Sequence, residues 1–328
     1  MWHRHSCLCS WGFLLCVLGV LCGESSFFSF SAFLSVLCVS ALSVLFSEAV
    51  SCRLSAVNFL MTPEIQIRKC TTLPDFHRCV EIQKAVWNES DLETEPYTTF
   101  VVANQTGGQV LGAFDGPTMV GFTMALVGVR DKTPYLHSHM TGVLPEFRDR
   151  KIGRALKLFQ REEALSRDIR LVEWTFDPLE TRNAHFNLNR LGAIVRTYIP
   201  NFYGITSSQL HRNLPTDRLL AEWHLDSKRV IAAINELTPD PTEAPATIHV
   251  PVIVGAGLAC PESDRRARPA QGESTSPAPL APSESFASDQ QSKIRTEFLR
   301  LFSKRYAATS LRFTPTGADY LLQPWSDF

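Results

Sequence analysis

The chain has almost no net charge: 32 Lys and Arg stand against 33 Asp and Glu, a balance of −1 over 328 residues. Without a global positive field nothing collects phosphate backbones or anionic lipid, so a dedicated nucleic-acid binder is disfavoured. Cysteine is scarce outside one stretch. Six of the nine lie in the first sixty residues, and Cys70, Cys79 and Cys260 are too few and too scattered for a disulfide framework or a thiolate zinc site. A reducing compartment is expected for the folded part.

The first sixty residues lack charge in turn. Arg4, Glu24, Glu48 and Arg53 are the only charged side chains there, among 38 apolar residues and 12 serines. Leu8–Cys22 and Phe27–Phe46 are apolar runs of 15 and 20 residues, against the ~20 that span a bilayer as a helix. Two readings follow. Arg4 flanked by histidines, with Gly23-Glu24-Ser25 beyond the first run, resembles a signal peptide or anchor, which implies a membrane location through residues 8–46. Alternatively, translation starts at Met61, followed at once by Thr62-Pro63-Glu64 and a patterned strand, and the protein is cytoplasmic. The remainder is about 23 % charged, as ordinary globular domains are.

Periodicity then gives an α/β architecture. Glu64–Arg68 alternates as a strand, and Pro74-Asp75 opens a helix with Phe76, Cys79, Val80 and Trp87 on one face. A polar loop carrying Glu93, Glu95 and Pro96 follows. Gln109–Phe114 and Met119–Val127 flank an Asp-Gly turn and read as a hairpin; Tyr135–Val143 is a third strand after a turn at Asp131–Pro134. A helix over Ile152–Ser166 presents Ala155, Leu156, Phe159 and Ala164. Then come strand Leu171–Phe176, helix Asn183–Leu191 stopped by Gly192, and strands Ala193–Ile199 and Leu219–Leu225. This order predicts a mixed sheet flanked by helices with a parallel crossover in its middle.

The expected organisation is a leader over 1–60, a main domain over 61–238, a linker over 239–288, and a C-terminal helix with hairpin over 289–328. The linker holds a short strand, Ile248–Val254, and a Pro/Ser/Ala-rich stretch, Pro261–Ser288, without period. From Gln290, Ile294, Phe298, Leu301, Phe302 and Tyr306 share a helical face, and Leu311–Phe313 and Tyr320–Leu322 flank a turn at Gly317. Forty residues are too few to bury their own core, so this addition is expected to pack on the main domain.

The chemistry concentrates in Thr141–Leu156, where a strand runs through a charged, Gly-containing loop directly into a helix N-terminus. Unpaired amides and the helix dipole make such a junction an anion site. Val143, Pro145, Arg148, Gly153 and Leu156 match the pattern V-x-P-x-x-[RQ]-x-x-G-x-G-[RA]-x-L, and the stretch resembles the GNAT superfamily of N-acetyltransferases. The likeness extends over Glu64–Ser227 in the right order of elements. It is nearest to an uncharacterised bacterial branch predicted to be acetyltransferases, through Trp174-Thr-Phe-Asp177-Pro178 and Asn189-Arg-Leu-Gly-Ala193.

The resemblance implies a GNAT-like sheet and direct transfer of an acetyl group from acetyl-CoA, as co-substrate and without a metal, to an amine of a small molecule or amino acid. It implies an oxyanion site at main-chain N–H groups near Gly142, Val143 and Leu144, and a pyrophosphate site on Arg148, Lys151, Ile152, Gly153, Arg154 and Ala155. Asn183 and Asn187, one turn apart, face the expected pantetheine channel or simply solvent. A base is needed because an amine near pKa ~10 is protonated at neutral pH. His137 and His139, at i and i+2 on one strand face, and Glu173 or Asp177 on the next strand are the candidates. The two histidines also fit a core role, they lack a third ligand for a metal, and Asp177 before Pro178 fits a turn cap.

Two departures from the family stand out. Lys151 occupies the first loop glycine, and Leu188 falls where many members carry a proton-donating tyrosine, which leaves Tyr203 or Tyr198 as substitutes. They motivate the alternative of a catalytically weak CoA-binding or regulatory protein, membrane-anchored if the leader is real. The Asn201–Gly204 loop is where such folds bind the acceptor. The expected partner is a small-molecule amine with no nucleic acid; a homodimer stays open.

Overall fold

The computed structural model describes residues 64–87, 94–205, 214–237, 244–251 and 284–325; the leader, Glu93 and Pro261–Pro282 lie outside the described residues. The described chain runs β1 (Gln66–Lys69), α1 (Leu73–Trp87), α2 (Tyr97–Gln105), β2 (Gln109–Asp115), β3 (Thr118–Arg130) and β4 (Thr133–Val143). After a 3-10 turn at Pro145–Phe147 come α3 (Ile152–Leu165), β5 (Leu171–Phe176), α4 (Thr181–His185), β6 (Ile194–Ile199), β7 (Arg218–His224) and α5 (Lys228–Ile234). It ends with β8 (Ala246–Pro251), α6 (Glu284–Phe302), β9 (Tyr306–Thr314) and β10 (Gly317–Pro324).

The strands form one ten-stranded sheet in the order β1-β2-β3-β4-β5-β7-β6-β9-β10-β8. Eight junctions are antiparallel and β4–β5 is parallel. The mixed sheet with a parallel crossover is therefore as expected. One apolar core gathers Val110, Leu111, Val120 and Phe122 of β2 and β3 with Phe76, Ile82 and Phe100 of α1 and α2 and Ile152 and Leu156 of α3. A second gathers β5, β6 and β7 with Phe298 of α6 and Tyr320 of β10. The β4–β5 junction lies at the seam between them.

Local chemistry sets the elements. At the head of α1 the Thr72 hydroxyl accepts from the Asp75 amide at 3.3 Å while the Asp75 carboxylate accepts from the Thr71 and Thr72 amides, a reciprocal cap. Asp131 and Lys132 both take positive φ, 49° and 64°, which a two-residue hairpin turn requires. The expected four-residue turn shrinks accordingly, and β4 begins at Thr133.

Several expectations are corrected. Tyr97–Gln105 and Lys228–Ile234 are helices that the sequence reading did not assign. The helix expected over Asn183–Leu191 starts at Thr181 and passes after His185 into a π-helical turn, Phe186–Arg190, closed by Leu191 N–H on Phe186 O. The aperiodic stretch does not reach Ser288, because α6 already begins at Glu284, and Tyr306 belongs to β9 rather than to the helix. Through Val195↔Ala308, β9 adds to the edge of β6, so the hairpin continues the sheet. Among the described residues no helix is long and apolar enough to cross a membrane.

Candidate active site

The two strands of the parallel junction pair only at Leu136↔Val172 and His137↔Glu173. Beyond that point β4 continues to Val143 and β5 to Phe176 without pairing, so a wedge opens between them, with its apex at His137 and Glu173 and its mouth at Val143. The strand order β1 to β4, β5, β7, β6 with this splayed parallel junction, and α3 leading back from its mouth, matches the arrangement that the sequence resemblance implies.

At the mouth stands the α3 N-terminus. Its first backbone bond runs from Ala155 N–H to Lys151 O at 3.0 Å, which leaves the amides of Ile152, Gly153 and Arg154 without an intrahelical acceptor. Asp149 and Lys151 take left-handed conformations, φ 63° and 59°, and such alternation turns successive amides toward one concavity that suits an anion. Lys151 thus holds a left-handed backbone that a glycine would adopt more freely. A Cβ added at Gly153 would meet nothing within 4 Å, so the space over this helix end is open, as a bound pyrophosphate needs.

Not every expected group is spare. The Ala155 amide is spent inside the helix, the Arg154 guanidinium donates to Ile234 O at the end of α5, and Arg148 Nε reaches back to Val143 O at 3.4 Å. The Leu144 amide donates to Val120 O at 2.9 Å. Because N–H groups alternate between strand edges, Gly142 also turns toward β3, and Val143 and Thr141 present theirs to the wedge. Gly142 instead makes room for Trp87, whose ring a Cβ would approach to 3.1 Å.

One face of the wedge carries the histidines. The β3–β4 register slips between Met124↔Met140 and Ala125↔Ser138, so His139 is the extra residue of a bulge. Its Nε2 lies 3.5 Å from Glu95 Oε1, and its ring centroid lies 6.4 Å from that of His137. Burial, then the His139 and Lys157 charges, lower the His137 pKa against the opposing pull of Glu173, so His137 is neutral near pH 7. Glu173 is almost fully buried, and Arg130 holds both its oxygens at 2.7 and 2.9 Å. That pairing occupies both oxygens of Glu173. Tyr203 completes this face: its hydroxyl is 3.1 Å from Thr175 Oγ1 on β5, and the Arg218 guanidinium lies over its ring.

The other sequence candidates fall elsewhere. The Tyr198 hydroxyl donates to Asp217 at 2.6 Å, and burial with that carboxylate raises its pKa far out of reach. Asp177 accepts from Leu179 N–H at 2.8 Å, as a turn cap does, while burial pushes its pKa up to about 6. The Asn187 amide donates to Asn183 Oδ1 at 3.2 Å, so the two asparagines are partners of each other. Leu188 is fully buried in the second core. Among the described residues no cluster of His, Cys, Asp and Glu could hold a metal.

Sequence reasoning missed Lys157. The helical pattern puts Ala155 and Phe159 on the apolar face, whereas α3 buries Ile152, Leu156, Lys157, Gln160 and Ala164. Its ammonium donates to Ser138 Oγ at 2.7 Å and Gln160 Oε1 at 3.1 Å and sits 4.2 Å from the Trp174 ring centroid. Burial pushes its pKa down to about 7. The unfolded chain keeps this proton to about 10.4, so wild-type stability rises with pH across that window. Lys157→Met is therefore expected to be more stable at pH 7, by roughly 1–4 kcal/mol, with the gain shrinking toward pH 10. Urea unfolding at pH 7, 8.5 and 10 measures it; a gain that does not change with pH would contradict the charge-burial explanation.

A scan of family models and a search of curated proteins find no match to this sequence. Similar solved structures include the ribosomal-protein-S18-alanine N-acetyltransferase from Escherichia coli, at 16 % identity and TM-score 0.40 over 50 % of this chain and 96 % of that one. Ard1 from Thermoplasma volcanium is similar at 13 % identity and TM-score 0.38 over 48 % and 95 %. Naa20 from Chaetomium thermophilum, solved with a bisubstrate analogue, is similar at 17 % and 0.41 over 51 % and 88 %.

Proposed function

We propose that the protein is an acetyl-CoA-dependent N-acetyltransferase acting on an amine of a small molecule or amino acid. The observation that carries this reading is the wedge, closed at His137↔Glu173 and open at the α3 N-terminus. A thioester threaded down it puts its anionic end on the Ile152–Arg154 amides and its reactive end between two strands. When bound, acetyl-CoA supplies the activated acyl group. The Thr141 and Val143 amides face the wedge along the path of the pantetheine arm and would donate to its carbonyl groups. His139, with Glu95 beside its Nε2, is the base we assign to the incoming amine, and neutral His137 stands one position deeper.

A CoA-binding protein without turnover is the second reading, favoured by Leu188, which offers no proton where many GNAT members carry a tyrosine. An acceptor screen separates the two: purified protein, acetyl-CoA and a panel of amines and amino acids, read by release of the free CoA thiol. Acceptor-dependent thiol release supports the enzyme. Saturable acetyl-CoA binding with no release across the panel would favour the second reading.

A further inference from the structure

Lys157 stands at the closed end of the wedge, on the α3 side of the sheet. Ser138 follows His137 on β4 and Trp174 follows Glu173 on β5, so these two residues are the first on each strand past the last paired position. The Lys157 ammonium touches both, from the α3 side of the sheet. The histidines, Thr175 and Tyr203 occupy the opposite face. From Val143 at the mouth to Ser138 at the apex is about 16 Å of strand, comparable to an extended pantetheine arm. A CoA anchored on the α3 amides therefore ends with its sulfur at the apex.

Among the described residues no carboxylate is paired with this cation. Glu173 is held by Arg130 on the other face of the sheet, Glu222 on β7 is held by Arg196, and Glu163 on α3 is held by Lys69 and Arg167. His137, on the far face, is the remaining nearby ionisable group. A buried ammonium without a counter-charge is costly in the resting protein, and an anion formed beside it removes that cost. The neighbouring Gln160 Nε2 is also buried without a partner, so the polar surroundings of Lys157 are incomplete as they stand.

Resting on the acetyl-transfer reading above, we propose that Lys157 is the proton donor to the departing CoA thiolate, in the role for which Leu188 is unfit. As the tetrahedral carbon collapses, the C–S bond breaks, its electron pair passes to sulfur, and a proton moves from Lys157 Nζ to sulfur. CoA leaves as the thiol and the amide product as a neutral molecule. The amine's own proton goes to the base on the opposite face, and Lys157, left neutral, regains a proton from water once CoA departs. Read in reverse, the same lysine takes the proton of a bound CoA thiol, and the ammonium–thiolate pair so formed relieves the uncompensated burial of either charge.

The test needs no acceptor. Free CoA is bound at saturation to the full chain, and the far-ultraviolet thiolate band is followed as a difference spectrum from pH 6 to 10, with desulfo-CoA as the blank. In the wild-type complex the thiolate fraction at pH 8 is expected to be at least tenfold higher than in the Lys157→Met complex, and Lys157→Gln, a second neutral variant, should behave as Lys157→Met does. The same thiol titration in wild type and both variants, with CoA bound in each, would overturn the proposal while leaving the binding reading intact. Failure of wild type to bind either CoA or desulfo-CoA would instead overturn the acetyl-CoA reading on which the proposal rests.

Discussion

Gly153→Glu is expected to abolish acetyl-CoA binding while leaving the fold unchanged. The two halves of that expectation have separate grounds. A side chain at Gly153 meets open space, and its φ is not in the left-handed region, so the substitution costs the native state little beyond its own rotamers. The same open space is what a pyrophosphate would occupy over the Ile152, Gly153 and Arg154 amides, and a carboxylate there brings bulk and like charge against it. For wild type at a hundredfold excess over the dissociation constant, ligand linkage contributes about 2.7 kcal/mol, which is several degrees in melting temperature. The variant should melt where unliganded wild type does and show no shift with acetyl-CoA. An undiminished shift would mean that the anion sits elsewhere.

Asp217→Ala carries the largest expected cost to stability. The Asp217 carboxylate is fully buried, accepts from Arg295 of α6 at 2.7 and 2.8 Å, from the Tyr198 hydroxyl at 2.6 Å and from the Asn201 amide at 2.9 Å. Removing it strands a partly buried guanidinium, a buried phenol and an amide at once, a loss of about 3–5 kcal/mol. For a chain of this size that is roughly 10 °C in melting temperature. A functional consequence accompanies it. Asn201 sits at φ 46° at the start of the loop that carries Tyr203, and the loop closes through the Phe202 amide on Thr216 O and the Tyr203 amide on Thr216 Oγ1. Asp217 therefore couples the C-terminal helix to the expected acceptor loop. A drop below 1 kcal/mol in thermal or urea unfolding would show that the network is replaceable by water.

What the sequence made legible follows from where each signal is stored. The β2–β3–β4 hairpins, α3 and β5 were readable because period and turn residues are local, and the anion site was readable because its strand, loop and helix are contiguous. Helix α2 was not, since Tyr-Thr-Thr-Phe-Val-Val is rich in β-branched and aromatic residues and Pro96 offers no side-chain cap; burial of Phe100 and Ala103 holds it as a helix. Helix α5 did carry a signal, Ser227 capping the Val230 amide, but seven residues are too few for a period to show. The site was legible only on one side. His137 and His139 share a strand, whereas Lys157, Ser138 and Trp174 meet only after a crossover brings β4, α3 and β5 together, and a lysine among leucines reads as solvent-facing until the sheet covers it.

The central claim is that the β4–β5 wedge and the α3 N-terminus form one site for an acyl-CoA. Calorimetric titration of the purified protein with acetyl-CoA tests it most directly. One saturable site per chain, competed by free CoA and lost in Gly153→Glu, is the predicted result. Absence of heat and of competition at millimolar acetyl-CoA, with the protein folded, would contradict it.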